Sequence, residues 1–475
     1  MNPQYALTKS AESSDICASA SVFWTAKWGL FFLLVLAYSI TQSSPIMYIA
    51  LLVEIASIIP IGRPRIIKES AECYIELVVV SLMMPDNYCI VAVIALGGLL
   101  FVHGTISRSG ILAIALAALY CSFNIILCSV PLNNIIVWCI YILPFPLIVF
   151  VFKRLLCHFA GIVLLQLKRL ILLEFVSVVI YAVSHISTIL SYNDMDWVVG
   201  TMGAYQANTL MCVSAFSLLV FLGALKHRSK GMIPWCIMSA LLTVSTSSVS
   251  FLAIFFMAAV VVFVASWQAS MRERAAFVIA LVVAFAAFVA VSPAWISTEI
   301  YKMTDSTYAQ NRFEKGIYYE RTFVDIPSDQ GLSSFVFGTG LGTYSSRAAL
   351  TCAGGYIDIY DRYFSPYSSA ERIRYLSDQD RKKGLASMAD SSIISAQGEL
   401  GLVGLVAING MMLVLFVRSK DPYYRIAVLF FWGLLFVDNA MEYAKVYTMF
   451  AASMVAIRSF ERVGKSDDVG DGPCA

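Results

Sequence analysis

The chain has 475 residues, of which 59% are hydrophobic and 13% are charged, and its mean hydropathy is +0.77. Soluble domains carry roughly 25% charged residues, so this composition excludes an ordinary soluble protein and predicts an integral membrane protein. The formal net charge of +2 does not indicate any particular partner. The apolar composition predicts contact with the lipid bilayer, and we expect no nucleic-acid partner.

Apolar runs recur along the chain, most of them long enough to cross about 30 Å of hydrocarbon as a helix. Pro144 and Pro146 lie inside one run and predict a kink there. The runs predict about fourteen transmembrane helices, at residues 24–41, 45–61, 71–84, 88–103, 111–130, 135–152, 170–187, 206–225, 233–244, 250–267, 275–291, 393–417, 426–437 and 444–457.

The basic residues between the runs predict the orientation, because Lys and Arg of short loops stay in the cytoplasm. One assignment satisfies every short loop: both termini are cytoplasmic, and a basic segment between residues 153 and 169 is a cytoplasmic loop. The polar residues 1–21 lack the features of a cleavable signal, so we expect the first span to remain as an anchor. The turns predicted to face outward lie at Pro85, Pro131, Ser191, Thr246 and Asp438.

A polar interval at residues 294–392 divides the chain into N-terminal spans (residues 1–293), a long outward loop (294–392) and C-terminal spans with a cytoplasmic tail (393–475). The loop holds ten of the 24 tyrosines. Disordered linkers are poor in aromatic residues, so we expect this loop to fold. Tyrosine faces suit sugar rings, but tyrosines also gather in interfacial belts of membrane proteins.

Gly338, Gly340 and Gly342 alternate within this loop. Glycine takes positive φ readily and lets a ligand approach the backbone. The spacing is not that of a dinucleotide fingerprint, and no βαβ context surrounds it. The pattern indicates either a ligand-binding turn or a simple tight turn before a helix.

Three arginines, Arg312, Arg321 and Arg347, flank the glycines. A guanidinium stays charged and offers a fork of donors that matches phosphate oxygens, so together they are candidates for binding a diphosphate. The alternative is a solvated loop face whose charges balance.

Neither a metal site nor a disulfide framework is predicted. The four histidines are scattered without ligand spacing, and most cysteines lie in apolar runs, where they act as small hydrophobic residues. Cys352 is alone in the long loop. We therefore expect no metal and no cofactor.

The last part of the loop and the span after it carry a recognisable spacing. Residues 399–404 read E-x-G-x-x-G, and Asp390 followed by Ser391 lies nine residues before Glu399. With Arg321 ahead of the glycine turn, this pattern resembles the O-antigen ligase and O-antigen polymerase superfamily of bacterial inner membranes. Members often have His-Asn where this chain has Asp-Ser.

Two upstream elements resemble the same superfamily less closely. Residues 200–208, ending at Asn208, are similar to a G-x-x-x-N-P-N element without its proline. Residues 243–247 are similar to a T-x-S-R-G element, with Thr246 in place of the arginine.

The resemblance implies an all-α polytopic membrane protein of about 12–14 transmembrane helices with one long periplasmic loop, similar to the GT-C glycosyltransferases. It implies metal-independent, inverting transfer of an undecaprenyl-diphosphate-linked glycan. Asp390 would deprotonate the acceptor hydroxyl, and loop arginines would neutralise the leaving diphosphate. Asp in place of His favours a polymerase over a ligase. An Asp that opens a helix is alternatively an N-cap.

Glu399 is an ionisable residue two turns into a hydrophobic span, where such groups are costly and usually functional, so it is a second catalytic candidate.

A polymerase in this pathway is expected to work with a chain-length-regulating copolymerase and a flippase. The competing functions are a ligase that transfers the polymer to lipid A-core, a flippase, and a scaffold. A flippase should have short loops and two similar halves, and a scaffold should have few spans.

Overall fold

The structure is a computed structural model, and it describes residues 26–58, 67–84, 108–142, 144–186, 200–202, 206–226, 230–246, 248–265, 316–354, 358–376 and 391–466. Every regular element in these ranges is a helix. The prediction of an all-α fold is therefore confirmed. The predicted spans at 88–103 and 275–291 lie outside the described residues.

The described helices before the long loop follow the apolar runs. Most of them end at a proline or a polar turn, as α4 does before Pro131, because proline disfavours a helical residue before it. They are α1 (Ala26–Thr41), α2 (Ser44–Ile58), α3 (Ile67–Leu82), α4 (Arg108–Cys128), α5 (Leu132–Ile142), α6 (Pro144–Ser184), α7 (Ala207–Lys226), α8 (Ile233–Ser245) and α9 (Val249–Ala265).

Helix α6 corrects one prediction. The basic segment between residues 153 and 169 is not a loop, because the chain is helical without a break from Pro144 to Ser184. The charges had indicated a loop, yet the segment contains no proline after Pro146 that would end a helix. The predicted span at 135–152 is divided at its prolines: α5 ends at Ile142 and α6 begins at Pro144. Both prolines lie in the first turn of α6, where their missing N–H and fixed φ are tolerated.

The described part of the long loop folds into short helices with a core of its own. Ser346 and Ser369 begin two of these helices, since their hydroxyls accept the N–H of Ala349 and Arg372 respectively. The helices are a π-helical turn (Arg321–Asp325), α10 (Ile326–Gln330), α11 (Leu332–Phe337), α12 (Arg347–Ala353), α13 (Asp358–Tyr363) and α14 (Ala370–Tyr375).

Three helices follow the loop: α15 (Ser392–Arg418), α16 (Pro422–Val437) and α17 (Ala444–Ser466). Helix α7 lies at the centre of the main core, where it packs against α8, α16 and α17, and α17 also packs along α6. Phe431 of α16 and Phe450 of α17 stack with ring centroids 4.2 Å apart. In contrast, the loop contacts the edge of this bundle, with α11 on α15 and α12 on α5.

Two described helices, α7 and α15, are long and apolar enough to cross a membrane, and seven other apolar helices are shorter. The outer faces of several helices are also apolar. Helix α4 exposes a nearly continuous set of large side chains, which soluble monomers rarely do: Ile111, Leu112, Leu116, Leu119, Phe123, Ile126 and Leu127. Both observations indicate association with a membrane.

Candidate active site

The glycine turn, residues 338–342, lies against the first turns of α15. Gly338, Gly340 and Gly342 all have positive φ, at 78°, 112° and 65°, which confirms the backbone conformation predicted from their alternation. The close approach at Gly338 is to the protein itself, because a Cβ there would lie 2.5 Å from the carbonyl carbon and oxygen of Glu399. The first glycine is therefore required for docking the turn onto α15.

Helix α15 is broken where the turn docks. Gly401 has φ 65° and ψ −165°, a region open essentially to glycine alone. Such a break leaves carbonyls without partners inside the helix. The turn supplies the missing donors: Thr339 N–H donates to the carbonyl of Gly398 at 2.7 Å, and Gly340 N–H donates to that of Glu399 at 3.2 Å.

The Glu399 side chain binds the turn from the opposite direction. It is 1% exposed, and its two oxygens accept the backbone N–H groups of Gly342 (3.0 Å), Tyr344 (3.3 Å) and Ser346 (3.0 Å). A carboxylate that accepts three amides has few lone pairs left for a substrate. These contacts are those of a residue that positions the turn, so the E-x-G-x-x-G and glycine motifs form one unit.

Polar residues of α4 and α5 complete this unit, and sequence reasoning did not single them out. Asn124 donates to the carbonyl of Phe337 at 2.7 Å, and the Tyr120 hydroxyl donates to that of Leu400. Asn134 donates to the carbonyl of Gly342 at 2.5 Å. A signal was present, since asparagine inside an apolar run needs a hydrogen-bonding partner, but only the packing identifies that partner.

The flanking arginines differ in their surroundings. Arg347 is buried, and its guanidinium carbon lies 4.0 Å from the ring centroid of Tyr443. Arg321, in the π-helical turn, is half-buried and donates to the carbonyl of Tyr375 at 2.7 Å. Arg312 lies outside the described residues. The two described candidates therefore contact different parts of the protein.

A fourth arginine was missed. Arg372 of α14 is fully buried and donates through Nη1 to the carbonyl of Tyr344 at 2.5 Å, while Ser369 donates to the carbonyl of Thr343 at 2.9 Å. Helix α14 thus holds the segment that follows the glycine turn. Its sequence resembles any polar surface helix, so nothing local predicted this burial.

The tyrosines of the loop divide into core and surface residues. Tyr318, Tyr344 and Tyr375 form the loop's core with Ile326 and Ile394. Burial raises the pKa of Tyr344 to about 12, although its hydroxyl shares a hydrogen bond of 2.9 Å with Thr322. These buried rings cannot serve as platforms for a sugar. In contrast, Tyr363 is 77% exposed.

Asp390 lies outside the described residues, but the position that follows it is informative. Ser391 is the N-cap of α15, and its hydroxyl accepts the N–H of Ile394 at 3.4 Å. The alternative role considered for Asp390, capping this helix, is therefore taken by its neighbour. Tyr319 shares a hydrogen bond of 2.8 Å with the same hydroxyl, which fixes the start of α15 to the π-helical region.

The segment between α16 and α17, residues 438–443, covers the start of α15. Ser392 N–H donates to the carbonyl of Asp438 at 3.1 Å, and the Ser395 hydroxyl donates to the side-chain oxygen of Asn439 at 3.3 Å. From this segment Glu442 reaches the loop, where its Oε2 accepts the N–H of Arg347 at 2.6 Å.

A second buried carboxyl is thereby placed beside Glu399. Glu442 is 1% exposed. Burial raises its pKa to about 8, because desolvation outweighs the lowering by Arg347, and Glu399 and Asp438 add smaller increases. The sequence predicted only an outward turn here, and no pattern pointed to Glu442.

Asn208 lies elsewhere, at the start of α7. Its side chain is exposed and its oxygen accepts a hydrogen bond from Ser248, at the start of α9. Nearby, Thr243 donates to Ser214 at 3.0 Å. The two upstream elements that carried the weaker resemblance therefore meet at the junction of α7, α8 and α9. Thr246 is buried and donates to the carbonyl of Thr243.

Among the described residues, no group of three or more His, Cys, Asp or Glu side chains could hold a metal ion. Comparison with models of protein families gives no match, and comparison with curated proteins gives none either.

Proposed function

We propose that this protein polymerises undecaprenyl-diphosphate-linked repeat units into an O-antigen, capsule or exopolysaccharide. The observation that carries the proposal is the docking of the glycine turn onto α15. Three features that carried the resemblance, the turn, Glu399 and Gly401, meet in one hydrogen-bonded unit. In this arrangement Glu399 positions the turn, and Asp390 stands one residue before the N-cap of the same helix.

The proposal places the site on the periplasmic face of a bacterial inner membrane, with about 12–14 spans and both termini in the cytoplasm. The apolar outer face of α4 and the apolar length of α15 support an environment of lipid. The unit lies at the end of α15 where the chain enters that helix from the long polar loop, which is where a lipid-linked substrate in the bilayer would meet an aqueous acceptor.

In the proposed reaction the acceptor hydroxyl attacks the anomeric carbon of the donor from the side opposite the diphosphate. Asp390 takes the hydroxyl proton while the new carbon–oxygen bond forms. The bond to the diphosphate breaks, and the diphosphate leaves with the electron pair. Arg321 is our choice for the diphosphate, because it is half-buried, whereas Arg347 and Arg372 are buried.

A ligase is the nearest alternative, since the same unit would serve transfer to lipid A-core. Asp390 in place of the ligase histidine favours the polymerase. A flippase has one observation in its favour, because broken helices line substrate sites in transporters. Here, however, the break in α15 is filled by the amides of Thr339 and Gly340.

The test is Asp390→Ala in the bacterium that makes this protein, with Asp380→Ala in the same loop as the matched control. We expect Asp390→Ala to reduce the polysaccharide to single repeats at normal membrane levels of the variant, while Asp380→Ala keeps the ladder of long chains on a gel. Long chains left on undecaprenyl diphosphate would instead identify a ligase. Long chains of normal length and attachment from Asp390→Ala would refute the catalytic assignment.

A further inference from the structure

The hydroxyl of Tyr319 joins three elements of the protein. It donates to the carbonyl of Phe436 at 2.7 Å and shares a hydrogen bond of 2.8 Å with the hydroxyl of Ser391. Tyr319 belongs to the helical residues 316–320, which lead into the π-helical turn. Phe436 lies in the last turn of α16, and Ser391 is the N-cap of α15. One hydroxyl therefore connects the long loop to the ends of two apolar helices.

These contacts satisfy groups that a helix end leaves without partners. The last carbonyls of a helix have no donor within it, and in α16 the Tyr319 hydroxyl serves Phe436. Because Tyr319 has one hydroxyl proton and a carbonyl can only accept, that proton goes to Phe436. The proton of Ser391 is then shared between Tyr319 and the carbonyl of Leu435, which lies 3.2 Å away. Burial raises the pKa of Tyr319 above its ordinary value, so its hydroxyl stays protonated at neutral pH.

Arg321 follows two residues after Tyr319 in the same helical segment. Side chains two apart on a helix do not share a face. Accordingly, Tyr319 faces the ends of α15 and α16, whereas Arg321 donates to the carbonyl of Tyr375 in α14 at 2.7 Å. The Tyr319 ring also stacks on Phe323, with centroids 6.0 Å apart and planes at 13°. The position of Arg321 relative to the start of α15 therefore depends on Tyr319.

We propose that Tyr319 is a positioning residue of this site, which holds Arg321 at a fixed separation from the start of α15. The inference rests on the proposed function, in which Arg321 binds the diphosphate and Asp390, joined to Ser391 by a peptide bond, is the base. The acceptor hydroxyl and the leaving diphosphate lie on opposite sides of the anomeric carbon, so both residues must be aligned with it at once. A misplacement of about 1 Å can lower such a rate about 10²-fold.

The experiment measures the rate of polymerisation against the concentration of lipid-linked repeat units, in membranes that carry the protein. Tyr319→Phe keeps the ring that stacks on Phe323 but loses both hydrogen bonds. Its kcat should fall about tenfold, while KM stays within about twofold, because alignment acts on the transition state rather than on binding. Glu320→Gln, at the exposed neighbouring position, and Tyr363→Phe, at a tyrosine that is 77% exposed, are the controls and should keep wild-type kinetics.

A double-mutant cycle separates positioning from a general loss of stability. Ser391→Ala removes the hydroxyl that Tyr319 contacts. The combination of Tyr319→Phe with Ser391→Ala should lose no more in kcat than the worse single variant, because both act through one contact. Ser391→Thr retains the hydroxyl and the N-cap, and it should keep most of the wild-type rate. Losses that multiply in the double variant would overturn the proposal, as would a Tyr319→Phe variant that changes only KM or only the unfolding midpoint.

The proposed function is tested separately by Asp390→Ala in the same assay. If Tyr319→Phe keeps the wild-type kcat while Asp390→Ala is inactive, Tyr319 does not position the site and the proposed function stands. If Asp390→Ala is active as well, the proposed function fails too.

Discussion

Gly401→Ala is expected to detach the glycine turn from α15, and Gly410→Ala in the same helix is its matched control. Alanine at Gly401 would have to adopt φ 65° with ψ −165°, which costs about 1–3 kcal/mol. Its Cβ would also lie 2.6 Å from the amide nitrogen of Gly338 and closer still to the carbonyl of Val336. Relieving such overlap costs about 1–3 kcal/mol more. The loss of stability should therefore be about 2–6 kcal/mol.

Gly410 has helical backbone and open space where a Cβ would be built. Alanine there should be neutral or stabilising by up to about 1 kcal/mol, because it is the better helix former. The assay is the unfolding midpoint of both variants in detergent, together with the length of the polysaccharide that each supports. Equal midpoints for the two variants would show that α15 is not broken at Gly401, and the account of the docked turn would then fail.

Three further outcomes are expected. Glu399→Gln keeps one acceptor oxygen, which can still serve Tyr344 and Ser346, and leaves the buried amide of Gly342 without its acceptor, at about 1–3 kcal/mol; amide exchange at Gly342 should quicken roughly tenfold or more, whereas Glu320→Gln should not change it. Lys27→Met removes the buried cation that lies 2.9 Å from the carboxylate of Glu54 and 3.0 Å from that of Glu76. The free energy of unfolding should fall by about 3–5 kcal/mol; an unchanged unfolding midpoint would contradict this. Because the pKa of Glu442 is raised from 4.5 to about 8, the folded state keeps a proton that the unfolded state loses between these values. Its contribution to stability is therefore full below about pH 4.5 and falls as the pH rises through about 8; unfolding midpoints measured across this range should lose that slope in Glu442→Gln.

The sequence by itself determined the helical class and the positions of most described helices. Apolar runs closed by prolines and polar turns specify where a helix begins and ends, because these are local properties of the backbone. The tyrosine-rich interval also predicted a folded loop, and the alternating glycines predicted the positive φ values found at residues 338–342. The local rule failed at α6, where charges between residues 153 and 169 indicated a loop although the backbone stays helical.

Only the tertiary structure decided what the polar residues of the site contact. Glu399 read as a catalytic candidate, and its surroundings turned out to be three backbone amides of a segment more than fifty residues earlier in the chain. The partners of Asn134 and Arg372 could not be predicted, since each donates to a carbonyl far away in the sequence. Glu442 could not be identified from the sequence for the same reason. A sequence shows that a buried polar group needs a partner, whereas the partner is chosen by how the helices pack.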